Sequence, residues 1–220
     1  VITVDAPFGS ILNPKPPAPV RARLLPSNRV FNAVMKALAE IAPGDVIAEG
    51  FDTTTSVCLS HLGAEGYNIY LEILGGGYGA GAGNDGCDGV DCPLSNCANI
   101  PIEALEMDYP FARLEAYRLR QGSGGGGRYR GGDGLERCYR ILDDGVQFAT
   151  YSDRFKTQAQ GLFGGGPGAS AEFVVERGDE TIRVPSKARV VLERDDLLVV
   201  RTGGGGGYGE PDSSGTSRAR

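Results

Sequence analysis

Apolar residues recur along this chain with two different spacings, and the spacing sorts its segments. Val30, Phe31, Val34, Leu38 and Ile41 return every three or four residues, the period of one helix face. Ser27 and Asn28 stand just ahead of that stripe, where a short polar side chain can accept from free backbone N–H groups. Pro43-Gly44 follows and ends the pattern. A helix is therefore predicted over residues 28–41. Most other apolar stretches alternate or form short runs, as strands do. The candidates are 68–74, 113–120, 135–142, 146–151, 171–177 and 197–202, with Val1 to Val4 as an extended opening. Pro101 suits the first position of a second, short helix near 101–107.

The fold class expected from this pattern is α+β, strand-rich, with mixed or antiparallel sheets. Residues 1–209 read as one unit. The tail 210–220 (Pro211-Asp-Ser-Ser-Gly-Thr-Ser217 and beyond) has nothing to bury and is expected to be disordered. The apolar strands at 69–74 and 197–200 need cover from a partner or from further chain.

Glycine changes this picture. There are 35 in 220 residues, over twice the usual share of about 7%. Clusters begin near 75, 124, 164 and 203, but no other residues repeat with them, so a repeat architecture is rejected. Glycine never recurs every third residue, which excludes collagen. Two readings remain: tight corners and backbone crossings, or anion-binding loops. The Gly-x-x-x-x-Gly-Lys-Ser/Thr phosphate loop is absent.

Charge and composition narrow the partners. The net charge of -6 argues against nucleic acid or an anionic membrane surface, and no apolar run approaches the roughly 18 residues of a membrane span. The chain has one histidine, no tryptophan and five cysteines. An odd cysteine count in a chain of this size points to reduced thiols and a cytoplasmic setting. The first residues lack the pattern of a signal peptide. Val1 in place of an initiator Met fits a chain that starts inside a longer polypeptide or follows a cleavage.

The segment 83–106 is densest in functional side chains. Cys87, Cys92 and Cys97 stand at C-x4-C-x4-C among Asp85, Asp88 and Asp91. This spacing is looser than zinc knuckles, and the two readings are a metal site or buried free thiols. Asn96, Asn99 and Glu103 form N-x-x-N-x-x-x-E. Two carboxamides there could orient a substrate amide, because an amide offers both a donor and an acceptor; alternatively the three brace a loop and cap the short helix. Ser56 has no G-x-S-x-G context, and His61 reads as a turn histidine.

Several motifs, taken in order, resemble the C-terminal part of the hydantoinase B/oxoprolinase family. They are Gly9-Ser-Ile-Leu-Asn-Pro-Lys-Pro-Pro-Ala-Pro-Val-Arg-Ala-Arg23, Tyr70-Leu-Glu-Ile-Leu-Gly-Gly-Gly-Tyr-Gly-Ala80, Asp85-Gly with Asp88-Gly-Val, and Ser95 to Glu106. Gly125-Gly-Gly-Arg-Tyr-Arg-Gly-Gly132, Gly161-Leu-Phe-Gly-Gly-Gly-Pro-Gly168, Pro185-Ser-Lys187 and Gly203 to Pro211 complete the set. The resemblance implies a subunit, or part of one, of an ATP-dependent amidohydrolase acting on a cyclic amide such as hydantoin or 5-oxoproline, or of a related ketone carboxylase. It implies that this chain binds no cofactor. ATP with Mg would sit on a hydantoinase A-type partner subunit, and a divalent metal (Zn or Mn) in the N-terminal portion of the B-type subunit. The chain would supply cavity wall and subunit interface within a cytoplasmic hetero-oligomer, inactive alone, with Asn96, Asn99 and Glu103 toward the cavity. The competing class is a non-catalytic assembly subunit. The three cysteines depart from the family pattern.

Overall fold

Two antiparallel sheets face one another across a single apolar core. A computed structural model describes residues 3–20, 24–64, 66–92, 95, 97–98 and 100–211. Among these, α1 (Leu24–Leu38) precedes β1 (Thr55–Gly63) and β2 (Gly66–Leu74); α2 (Ile102–Asp108) then leads to β3 (Ala112–Arg120), β4 (Gly134–Ile141) and β5 (Val146–Tyr151). The remaining strands are β6 (Glu172–Arg177), β7 (Glu180–Val184), β8 (Lys187–Leu192) and β9 (Leu197–Arg201). The first sheet runs β2-β1-β5-β8 and the second β3-β4-β9-β6-β7. This is the α+β, strand-dominated class that the alternating pattern implies, and every strand pairing among the described residues is antiparallel.

Alternation decides which side chains meet in the core. Val57 and Leu59 of β1, Tyr70 and Leu74 of β2, and Val146 and Phe148 of β5 face Leu114, Tyr139, Ile141, Phe173, Leu198 and Val200 of the second sheet. Phe148 and Phe173 stack 6.3 Å apart across the gap. The run at 197–200 is apolar without alternation because β9 is central, bonded to β4 and β6, so its cover comes from within the chain. β2 is an edge strand, and its outward Tyr67, Ile69 and Leu71 remain exposed.

One charged pair sits inside this core. Arg137 of β4, fully buried, donates to Glu72 of β2, which also accepts from the Tyr70 and Tyr139 hydroxyls. The guanidinium stacks 4.2 Å from the Tyr117 ring. Charge is handled differently on the outer face of the second sheet. There Arg118, Glu136, Arg201 and Glu172 lie side by side on four strands in register, joined by contacts of 2.7, 2.6 and 3.2 Å.

Strands β1, β7 and β8 escape the hydropathy pattern. β1 is rich in Thr and Ser because its outward positions are Ser56, Cys58 and Ser60. His61 belongs to this strand, with its ring 5.5 Å from Phe111, rather than to a turn. Thr3 and Val4 are in no strand, and Val1 and Ile2 lie outside the described residues. The long helix is present but shifted, starting four residues before Asn28, so Asn28 lies within the helix instead of capping it. Its orientation also inverts the expectation. Asn28 and Asn32 are buried, whereas Val30, Val34 and Leu38 are 40, 46 and 40% exposed and Ile41, just past the helix, 81%. Hydrogen bonds from Arg29 and Asn32 to the turn at Asp52 set that inward face.

The glycine clusters converge into one body. Segment 203–209 follows β9 and bonds to four separate segments: Gly206 N–H to Glu49 O, Gly77 N–H to Gly203 O, Gly205 N–H to Gly132 O and Gly207 N–H to Gly166 O, all 2.7–3.0 Å. A pleated strand directs its N–H and C=O groups to two sides only, whereas an extended chain with three residues per turn directs them around its axis. Such a bundle has no room for side chains between its rods. A Cβ on Gly205 would stand 2.0 Å from Tyr78 O, and one on Gly77 1.8 Å from Gly132 O. The close-crossing reading of the glycines therefore holds, and N–H groups that a phosphate loop would present are donated to neighbouring carbonyls.

Three substitutions test this fold. Gly205→Ala is expected to lower the unfolding free energy in urea by more than about 3 kcal/mol, a size reserved for gross steric conflict, while Gly126→Ala, with open space at its Cβ position, should change it by under about 1 kcal/mol. Arg137→Met leaves the Glu72 carboxylate buried without its cation and should cost about 3–5 kcal/mol in the same measurement. Near-neutral results would disprove the two assignments separately.

Candidate functional site

The segment that sequence reasoning singles out is only partly described. Asn96 and Asn99 lie outside the described residues. Glu103 is exposed in the first turn of α2. That helix is pinned by buried Leu105, by Glu106 Oε1 accepting from the Leu114 N–H at 3.3 Å, and by Asp108 O accepting from the Asn68 side chain at 2.8 Å.

Its aspartates serve the glycine bundle. Asp88 makes a two-pronged pair with Arg130 at 2.7 and 2.9 Å and accepts from the Asp133 N–H at 2.8 Å. Asp85 Oδ1 accepts from the Arg130 N–H at 3.0 Å, and Asp133 Oδ1 from the Gly124 N–H at 2.8 Å. Asp91 holds the cysteine loop, its two oxygens accepting from the Cys92 and Cys97 N–H groups at 2.9 Å each. None of the five thiols forms a disulfide; Cys92 and Cys138 are buried, but Cys87 and Cys97 are exposed, which corrects the reading of those two as buried thiols. Among the described residues no three His, Cys, Asp or Glu side chains gather closely enough for a metal ion. The carboxylates nearest the cysteines are engaged with backbone N–H groups, and these residues do not fit a divalent metal.

A second cluster, which the hydropathy pattern does not reveal, lies between α1, the turn before β1 and the loop after β5. Asp52 is buried and accepts from the Gly50 N–H at 2.8 Å. With the Asn32 carboxamide in the orientation that satisfies both its atoms, its nitrogen donates to Asp52 Oδ2 at 2.9 Å and its oxygen accepts from Arg154 at 3.3 Å. Arg29 reaches Asp52 O, and Arg154 pairs with Glu49 at 2.9 Å. Asp52 and Arg154 both have left-handed backbone, φ 45° and 62°, a strain that concentrates at functional sites. Hydrogen-bonding capacity also goes unused: both Asn28 amide atoms and the Thr53 and Thr54 hydroxyls are buried without partners among the described residues. Burial pushes the Asp52 carboxyl above its ordinary value, against the pull of Arg29, the Gly50 N–H, Arg154 and Asn32. Burial lowers Arg29, and the Arg154 charge adds to that. The only sequence trace of the cluster is the Asn28–Asn32 pair, one turn apart.

One hollow adjoins this cluster and another lies on the glycine bundle. A cavity of about 30 Å³ beside Asn32, Glu49 and Gln160 has room for a water. An open groove of about 520 Å³ at the end of the glycine bundle is lined by Arg128, Tyr129, Tyr208 and Glu210. Glu210 and Pro211, where the sequence predicts a disordered tail to begin, form part of this groove; residues 212–220 lie outside the described residues.

The family model for hydantoinase B/oxoprolinase matches residues 1–211. The chain belongs to the hydantoinase B/oxoprolinase family. An uncharacterized protein of Methanocaldococcus jannaschii is 38% identical over 96% of this chain, and the putative B-type subunit of a D-/L-hydantoinase from a Pseudomonas strain 35% identical over 96%. These matches cover 37% and 36% of those proteins, so the chain spans little more than a third of their length. Among solved structures, the ATP-dependent caprolactamase of Pseudomonas jessenii superposes with TM-score 0.79 at 22% identity, over 94% of this chain and 38% of that one. Acetone carboxylase superposes at 0.65 and 19%, over 83% of this chain and 29% of that one. At such identities these two structures establish the shared fold alone.

Replacing Asp52 with Asn tests the buried cluster, since Asn tolerates left-handed backbone. With the Asp52 carboxyl raised above 3.8, the folded chain holds that proton more readily than the unfolded chain. Its contribution to stability therefore falls as pH rises from about 3.8 through the folded value. Over that window, urea unfolding of Asp52→Asn is expected to gain on the wild type, then run parallel above it. A difference independent of pH would contradict the buried carboxyl.

Proposed function

We propose that this chain is part of the B-type subunit of an ATP-dependent amidohydrolase acting on a cyclic amide such as hydantoin or 5-oxoproline. The observation that carries the reading is the 35% identity, along almost the whole chain, to the putative B-type subunit of a hydantoinase. The chain supplies cavity wall and subunit interface in a cytoplasmic hetero-oligomer and is inactive alone. A hydantoinase A-type subunit would hold ATP with Mg, which would supply a phosphoryl group to the carbonyl oxygen of the substrate with release of ADP. The N-terminal portion of the B-type subunit would hold a divalent metal, Zn or Mn, which would supply an activated water for ring opening; the aspartates of 85–91 direct their oxygens to backbone N–H groups and Arg130. Asn96, Asn99 and Glu103 are the substrate-contacting residues of this reading, the carboxamides matching the donor and acceptor of an amide without competing for the metal. A related ketone carboxylase is a second reading, since the same fold occurs in acetone carboxylase. A purely structural assembly role is a third, favoured by the use of Asp85, Asp88 and Asp133 to tie glycine segments together.

Kinetics of the assembled enzyme separate these readings. ATP hydrolysis coupled to ring opening of hydantoin or 5-oxoproline should require this chain together with an A-type subunit and the rest of the B-type polypeptide. Asn99→Ala should then lower turnover at least tenfold, about 1.4 kcal/mol, with assembly and melting temperature unchanged. Bicarbonate-dependent carboxylation of a ketone in place of hydrolysis would favour the second reading. Normal turnover per folded enzyme, with stability lowered by about 1–2 kcal/mol, would reduce Asn99 to a bracing residue.

A further inference from the structure

The distribution of uncovered apolar side chains is uneven. Of eighteen large hydrophobic residues exposed among the described residues, nine fall within residues 3–41. Val4, Phe8, Ile11, Leu12 and Val20 belong to the extended opening, and the other four form the outward stripe of α1 and the turn after it. Scattered single exposures are ordinary, but a contiguous set is the mark of an interaction surface. α1 sharpens the point, because a free-standing surface helix turns its apolar stripe inward. This one turns Asn28, Asn32 and Met35, with Ala39 just past it, toward the body, and the stripe of Val30, Val34 and Leu38 is left for something else.

The family match begins at residue 1, so the exposed segment belongs to the family's shared body, and nearly two-thirds of each long relative lies outside the match. We propose that residues 3–20 and 24–41 form a clasp for the remainder of a hydantoinase B-type polypeptide, the α1 stripe seated on an apolar face of it. The inference rests on the reading of this chain as part of a longer subunit.

Co-production in one cell tests it, with the tagged 220-residue chain as bait and the part of the Pseudomonas B-type polypeptide outside the match as probe. The probe is expected to be retained with the wild-type chain. Val34→Asp/Leu38→Asp should cut retention at least tenfold with the melting temperature of the bait unchanged. Leu71→Ser, which alters the exposed edge of β2 instead, should retain the probe like the wild type. Equal retention by wild type and the double variant overturns the clasp, and does so even where ATP-dependent turnover is intact, which leaves the functional reading standing. A wild-type chain that sediments as a dimer, is dissociated by the double variant and fails to retain the probe also overturns it, and makes a second copy of this chain the occupant.

Discussion

The absence of Cβ atoms along segment 203–207 is the constraint on which the rest of the molecule depends. Backbones approach there so closely that a methyl group on Gly205 would overlap the Tyr78 carbonyl. In exchange, each rod of the bundle satisfies its polar groups with neighbours on several sides. A bundle of this kind has almost no apolar surface to bury, so its cohesion comes from hydrogen bonding and dispersion between backbones. The β-sandwich supplies the apolar core that the bundle lacks, and β9 joins the two by running directly from one into the other.

Charge performs three separate tasks around this frame. The Arg137–Glu72 pair is sealed between the sheets, where only mutual neutralisation and the tyrosine hydroxyls make it tolerable. The row of alternating charges on the second sheet is partly wet, and it occupies an outer face that would otherwise be bare. Around Asp52, ionised groups and carboxamides are buried together with strained backbone and unpaired hydroxyls. Among the described residues the first leaves Arg137 Nε and Nη2 buried without a hydrogen-bond partner, and the third does the same with the Asn28 amide and the Thr53 and Thr54 hydroxyls.

Much of the fold is legible in the residue pattern, for a physical reason. β2, β3, β4, β5, β6 and β9 alternate, or are buried on both faces, and so announce themselves. β1 does not, because Ser56, Cys58 and Ser60 occupy its outward side where no strong polarity contrast exists. The orientation of α1 is illegible for the opposite reason: hydrogen bonds to the Asp52 turn override hydropathy. Glycine clustering is visible in the sequence, but four distant segments become one bundle only through contacts that no local pattern records. The Asp52 cluster depends on left-handed backbone at two residues outside glycine. Position on the chain gives no hint of that. The segment 84–106 is recognisable by composition; the work its aspartates do in tying down Arg130 and the glycine rods emerges only in three dimensions.

The connection between β9 and segment 203–209 has a consequence for how the molecule is made. β9 is the middle strand of its sheet, and 203–209 is bonded to rods from four regions of the chain. Both lie within the last twenty residues of the part that matches the family. Until β9 is in place, the β3-β4 hairpin and the β6-β7 hairpin are separate halves, with β4 and β6 each presenting an unfilled edge. The glycine rods likewise lack the piece that organises them. Assembly of sheet and bundle thus waits on one stretch of chain, residues 197–209.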